Sequence, residues 1–179
     1  MKFSSTELSG AYLIGLEPAR DRRGFFARTF CVEEFGMHGL VNQFPQHSFS
    51  FSAQKGTLRG MHYQREPAGE AKLVRCVQGA IFDVIIDIRP DSPTYRRWQH
   101  FELSSSNNDQ LYIPKGFAHG FQTLTDDAVV NYLISANYEA ELASGIRFDD
   151  PCFGISWPMA VTEISEKDVH WPNFDGSGR

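Results

Sequence analysis

The stretch AKLVRCVQGAIFDVIIDI, residues 71–88, decides the fold. Two apolar runs flank Gln78 and Gly79. A glycine-marked break between runs of this length reads as a pair of short strands straddling the break. In the second run Ala80, Phe82, Val84, Ile86 and Ile88 share one parity, while Asp83 and Asp87 share the other with Ile81 and Ile85. This period-two alternation predicts a strand with one wholly apolar face. Residues 89–93, RPDSP, end it, because proline has no N–H to give to a ladder.

Outward from this segment, further strands are expected over residues 56–64, 98–103, 110–113, 119–124 and 129–135, with a short helix over 33–40. Short strands at this spacing predict an all-β sandwich or barrel. The 179 residues suit one domain, 1–179, whose last residues, 173–179, read as a loose tail. The chain is long enough to bury a core without disulfide or metal staples. Its 15 Phe, 6 Tyr and 3 Trp exclude a disordered chain. With 17 Lys and Arg against 22 Asp and Glu, the net charge is −5, which argues against nucleic acid or an anionic membrane as partner. Cys31, Cys76 and Cys152 are scattered, with no C-x-x-C spacing, as expected of a reducing cytoplasm. No apolar run approaches a membrane span, and the first ten residues lack a leader's apolar core.

Five segments carry candidate chemistry. In LRGMHYQ, residues 58–64, His62 is either a satisfied strand residue or a base. Flat strand geometry puts Arg59 and His62 on opposite faces, and a bulge at Gly60 would bring them together. Lys72, ten residues on, reads either as a solvated edge residue or as an ammonium that stabilises an enolate oxygen. The segment IPKGFAHGF, residues 113–121, combines Pro and Gly in a tight turn that leads into a strand with His119 at its start. Its P-x-x-G-x-x-H spacing resembles a cupin motif, but the H-x-H of the cupin metal site is absent, since Tyr63 and Gln64 follow His62. A metal held by His62 and His119 would need Glu66 or Glu70. Tyr132 and Tyr138 read either as core aromatics or, for a phenol beside a developing anion, as proton donors. In ISEKD, residues 164–168, Ser165 reads as an N-cap, and Asp168 belongs either to a surface turn or behind His62, fixing its ring.

Taken together, the segments 21–26, 56–64, 72–75, 83–94, 113–121, 149–151, 156–158 and 165–168 resemble the dTDP-4-dehydrorhamnose 3,5-epimerases. The resemblance implies a jelly-roll β-barrel of the cupin, or double-stranded β-helix, type with a few short helices. It implies a homodimer, and a nucleotide-linked 4-keto-6-deoxyhexose epimerised through enolates without metal or other cofactor. Carried over by position, His62 matches the base, Asp168 its carboxylate partner, Tyr132 the proton donor and Lys72 the group facing the keto oxygen. Arg59 and His119 match contacts near the sugar and diphosphate. Arg23 and Phe26 match nucleotide contacts that reach across from the second subunit, and Gln46 and Tyr138 match contacts to the nucleotide. Two stretches depart from the pattern. Arg28 stands where the family usually has glutamate, and residues 46–50 read QHSFS in place of the usual Gln-Asp-Asn-His-Ser. Both departures fall on expected nucleotide contacts.

Overall fold

The computed structural model describes residues 1–176. In chain order the elements are β1 (Lys2–Ser5), β2 (Tyr12–Gly15), β3 (Ala19–Asp21), β4 (Gly24–Phe26), α1 (Val32–Met37), β5 (Gln46–Ser52), β6 (Leu58–Gln64) and β7 (Lys72–Gln78). They continue with β8 (Ala80–Asp87), β9 (Trp98–Ser104), β10 (Gln110–Ile113), β11 (Phe117–Thr123), β12 (Ala128–Ile134), β13 (Ala143–Gly145) and α2 (Glu166–Val169). A six-stranded sheet in the order β1-β2-β10-β7-β12-β5 packs against a five-stranded sheet in the order β13-β6-β11-β8-β9. Their strand pairs are antiparallel. This is the all-β jelly roll, with two short helices.

The segment around Gln78 and Gly79 behaves differently from a hairpin. β7 and β8 do not pair with each other: β7 lies between β10 and β12 in one sheet, and β8 between β11 and β9 in the other. The two residues form a corner that carries the chain from sheet to sheet. Burial sets the orientation of β8. The wholly apolar face of β8 points away from the barrel interior: Val84 and Ile86 pack with Met61, Ala118, Ile146 and Phe153 beneath the C-terminal segment. The face that carries the aspartates points inward, where Ile81 and Ile85 join Val74, Leu111, Phe117, Phe121 and Val130 between the sheets. β8 is therefore buried on both faces, and its two carboxylates need partners. Asp87 has them in Arg89, Ser92 and Thr94. Burial alone would raise the Asp87 carboxyl, but these donors outweigh it and hold the group below its ordinary value.

The outer face of the six-stranded sheet is covered in part by α1, where Phe35 packs with Ile14, Leu73, Tyr112 and Leu133. The strands beyond that cover leave Phe49, Phe51 and Val77 exposed. The expected tail is tied down in its described part: Phe174 packs on Phe153, and Tyr95 Oη donates to the carbonyl of Gly176 at 2.8 Å. Residues 177–179 of that expectation lie outside the described residues.

Candidate active site

β6 supplies two side chains to the barrel interior because it is bulged. His62 lies opposite His119 on β11 and Arg59 lies opposite Phe121, so three steps on β6 match two on β11. The extra residue reverses the parity between them. Gly60, at the bulge, has φ +142°, and a Cβ there would stand 2.5 Å from the Cα of Gly120. Only glycine fits so close a backbone crossing.

His62 Nε2 meets Asp168 Oδ1 at 2.6 Å. Asp168 sits on α2, one turn long and capped by Ser165, whose Oγ accepts from the backbone N–H of Asp168 at 3.1 Å. The Asp168 carboxylate also accepts from the Gly60 N–H and the Trp171 indole N–H, each at 3.2 Å. Burial alone would raise the Asp168 carboxyl. The His62 hydrogen bond and charge, with Gly60 and Trp171, overcome that and hold it below the ordinary carboxylate value. His62 itself remains open, its side chain 42% exposed. With Nε2 bound to the carboxylate, Nδ1 is left to carry the lone pair.

His119 is the third residue of β11 rather than its first, and it is buried. Its Nε2 lies 2.9 and 3.1 Å from the two oxygens of Asp83 on β8. Burial pushes the Asp83 carboxyl up, against the opposing charge and hydrogen bond of His119 and the charge of Lys72. Asp83 is a site residue that sequence reasoning missed. The signal was present, since a carboxylate within the apolar run IFDVII needs a cation when that strand is buried.

From the facing sheet, β12 presents Tyr132 and β7 presents Lys72. Tyr132 Oη shares a hydrogen bond of 3.0 Å with Ser50 Oγ, and its ring stands edge-on to His119 at 6.3 Å. Burial raises the phenol far above its ordinary value, with the Ser50 bond opposing only in part. Tyr132 therefore stays protonated and can donate. Lys72 is not a solvated edge lysine: it is buried on a central strand, with Nζ 2.9 Å from Glu70 and 3.5 Å from the backbone oxygen of His62. Arg59 is held by Ser52 Oγ at 3.1 Å and the carbonyl of Phe51 at 2.8 Å. Gln46 Oε1 accepts from the N–H of Tyr138 at 3.0 Å.

These groups converge. A cavity of about 290 Å³ is lined by Gln46, Arg59, His62, Lys72, His119, Tyr132 and Tyr138, among others. A larger one of about 510 Å³ shares Arg59, His62, Glu70 and Tyr138 with it and extends toward Lys167 and Trp171. Arg23 and Phe26 line neither cavity. They lie on the exposed β3–β4 hairpin, which joins neither main sheet, with Arg23 turned onto Asp21 and Phe26 75% exposed. Arg28 faces Glu34 at 4.0 Å. Among the described residues no group of three His, Cys, Asp or Glu is placed to hold a metal ion. His62 and His119 are each bound to their own carboxylate, and Glu70 is bound to Lys72 and Gln64.

Residues 5–176 match the family model described as dTDP-4-dehydrorhamnose 3,5-epimerase. A dTDP-4-dehydrorhamnose 3,5-epimerase of Sinorhizobium fredii is 44% identical over 175 residues, covering 97% of this chain and 90% of that one. The crystal structure of the dTDP-4-dehydrorhamnose 3,5-epimerase of Bacillus anthracis with TDP and PPi bound superposes with a TM-score of 0.94 at 39% identity, covering 97% of this chain and 99% of that one. The Legionella pneumophila dTDP-6-deoxy-D-glucose-3,5-epimerase in complex with dTDP-4-keto-L-rhamnose superposes with a TM-score of 0.90 at 37% identity, covering 96% and 92%.

Proposed function

Because this chain belongs to the dTDP-4-dehydrorhamnose 3,5-epimerase family, we propose that it inverts C3 and C5 of dTDP-4-dehydro-6-deoxy-D-glucose in deoxysugar biosynthesis. The observation that carries the reading is the placement of His62 and Tyr132. They come from opposite sheets and line one cavity, with Lys72 and His119 on its walls. A C–H beside a ketone becomes acidic when the enolate oxygen is stabilised, and inversion needs a base on one face and an acid on the other.

In this reading His62 removes the proton through Nδ1, while Asp168 orients the ring and stabilises the imidazolium that forms. The Lys72 ammonium faces the oxygen that gains charge. Tyr132, kept protonated by burial, returns a proton from the opposite face. His119 and Arg59 contact the sugar and diphosphate, and Gln46 and Tyr138 contact the nucleotide. No step calls on a metal or other cofactor.

The nucleotide end is completed by a second copy of the chain. The hairpin bearing Arg23 and Phe26 joins neither sheet, and Phe49, Phe51 and Val77 form an exposed apolar strip on the six-stranded sheet. Both features suit a homodimer whose hairpin is lent to the partner's site. The three free cysteines, of which Cys76 is pushed up to about 11 by burial, suit a cytoplasmic enzyme. No helix among the described residues is long and apolar enough to cross a membrane. The product would supply a surface polysaccharide or another glycosylated end product.

The direct test is deuterium uptake from solvent into dTDP-4-keto-6-deoxy-D-glucose, followed by product NMR. Uptake at both carbons is expected. Uptake at C3 or C5 only would make the enzyme a mono-epimerase, and none at either would refute the reading. A binding comparison of dTDP, UDP, CDP and GDP bears on Arg28 and residues 46–50; dTDP is expected to bind tightest.

A further inference from the structure

The Asp168 carboxylate has a second side-chain donor that the acid–base scheme leaves unused. Its Oδ1 accepts from His62 Nε2 at 2.6 Å and from Trp171 Nε1 at 3.2 Å, while Oδ2 accepts from the N–H of Gly60 at 3.2 Å. A carboxylate has room for several donors, and donors on both oxygens stop it from turning. Asp168 lies on a helix of four residues, too short to hold a side chain rigidly by itself.

The indole is seated as a fixed donor. It lies against Gly145, the β13 residue opposite His62 in the ladder. A Cβ on Gly145 would meet three indole atoms, Nε1 among them, so the ring needs glycine beneath it. Lys167 Nζ stands 5.1 Å from the ring centroid, an attractive position for a cation. The indole edge faces the imidazole, with ring centroids 6.4 Å apart at 68°.

We propose that Trp171 is a positioning residue of the reaction, its indole N–H sharing Asp168 Oδ1 with His62 and so setting both the angle of the imidazole and how firmly the imidazole holds its proton. The proposal rests on the epimerase reading of the site. Its chemistry follows from the shared oxygen. An indole donor draws on the charge that would otherwise be spent on the imidazolium. The dyad then orients His62 without trapping the proton that must later leave. Phenylalanine would serve as well as tryptophan for packing on Gly145, but it has no N–H to give, so Trp171→Phe separates the two roles.

The experiment joins kinetics with a signal independent of turnover. Trp171→Phe is expected to lower kcat for deuterium exchange about tenfold with KM little changed. The low-pH limb of its rate profile should move to higher pH, since Asp168 relieved of the indole holds the imidazolium proton more strongly. In an Asp168→Asn background, Trp171→Phe should cost nothing further. The chain has three tryptophans, and the other two are internal controls: Trp98 and Trp157 donate to the carbonyls of Phe153 and Phe148. In ¹⁵N-labelled protein the Trp171 indole resonance, assigned by its loss in Trp171→Phe, should shift in Asp168→Asn while the other two stay in place. Unchanged kinetics and pH profile in Trp171→Phe, or a Trp171 resonance indifferent to Asp168→Asn, would overturn the proposal. So would a lowered Tm with rate and pH limb unaltered, which would assign the indole to packing. If the unaltered protein exchanged no deuterium, the epimerase reading would fall, and the indole resonance would still test the hydrogen bond.

Discussion

His62–Asp168 and His119–Asp83 are drawn from the same kinds of side chain, and their histidines lie opposite each other on adjacent strands. Their surroundings separate them. The first pair keeps its imidazole half open to the cavity, and its carboxylate is held below the ordinary value by donors that outweigh burial. The second is sealed, and there burial outweighs the donors and raises the carboxyl. A carboxylate that stays charged can stabilise an imidazolium as it forms; one that resists charge is suited to fixing a ring in place. In the proposed epimerase reading, identical pairs are thus divided between proton transfer and binding by solvent access and donor count.

Four experiments would break or sharpen that division. The largest effect is expected from His62→Ala, which should lower deuterium exchange by roughly 10²–10⁴-fold. His119→Ala should act mainly on KM, and a comparable loss of kcat would erase the distinction. Asp168→Asn comes next, with a fall in kcat of about a hundredfold, because it removes the partner that fixes the ring and stabilises its charge. Asp83→Asn should cost kcat much less. Third, Gly60→Ala would force β6 away from Gly120 and spoil the shared facing of Arg59 and His62. Denaturant unfolding should show a loss of about 1–3 kcal/mol together with weakened activity. The smallest effect is in acid stability. Asp168, depressed in the fold, contributes stability above about pH 3.9 that is lost as pH falls through its folded value. Asp83, raised in the fold, does the reverse: the cost of its charge is relieved as pH falls through its folded value toward about 3.9. The stability gap between unaltered protein and Asp168→Asn should therefore narrow on acidification. Against Asp83→Asn, the unaltered protein should gain. Unfolding midpoints measured from pH 7 to 3 would show whether the two trends diverge.

Most of the barrel was legible from period-two runs. Residues 110–113 match β10 in full, and β6, β9, β11 and β12 fall within two residues of their expected limits. The strands that went unread are of two kinds. β1 to β4 and β13 are only three or four residues long, too short to show a period. β5 has phenylalanines at 49 and 51 that point outward into solvent, while its inward serines line the site, so its polarity runs opposite to the usual rule. β8 poses a different ambiguity. A strand covered on both faces offers two apolar parities, and sequence does not say which lies between the sheets. In the site, His62, Lys72, His119 and Tyr132 were named from sequence, and the fold brings them to one cavity. Asp83 and Trp171 went unnamed because each is defined by a partner distant in sequence: 36 residues separate Asp83 from His119, and only the closing of α2 onto β6 sets the indole against the dyad.

The corner at Gln78 and Gly79 also bears on how the molecule is made. Because β7 and β8 part company there, β7 waits for β10 and β12, while β8 pairs with the next strand, β9, and waits for β11. A hairpin could have zipped locally. This arrangement instead postpones the ladders of β7, and that of β8 with β11, until distant segments arrive, and the loop entropy of each closure must be overcome first. Refolding on the millisecond-to-second scale follows. During synthesis the dyad is among the last parts to be completed, since its carboxylate follows its histidine by 106 residues. A chain emerging from the ribosome would thus hold all the strands of the barrel before it held the carboxylate that fixes His62.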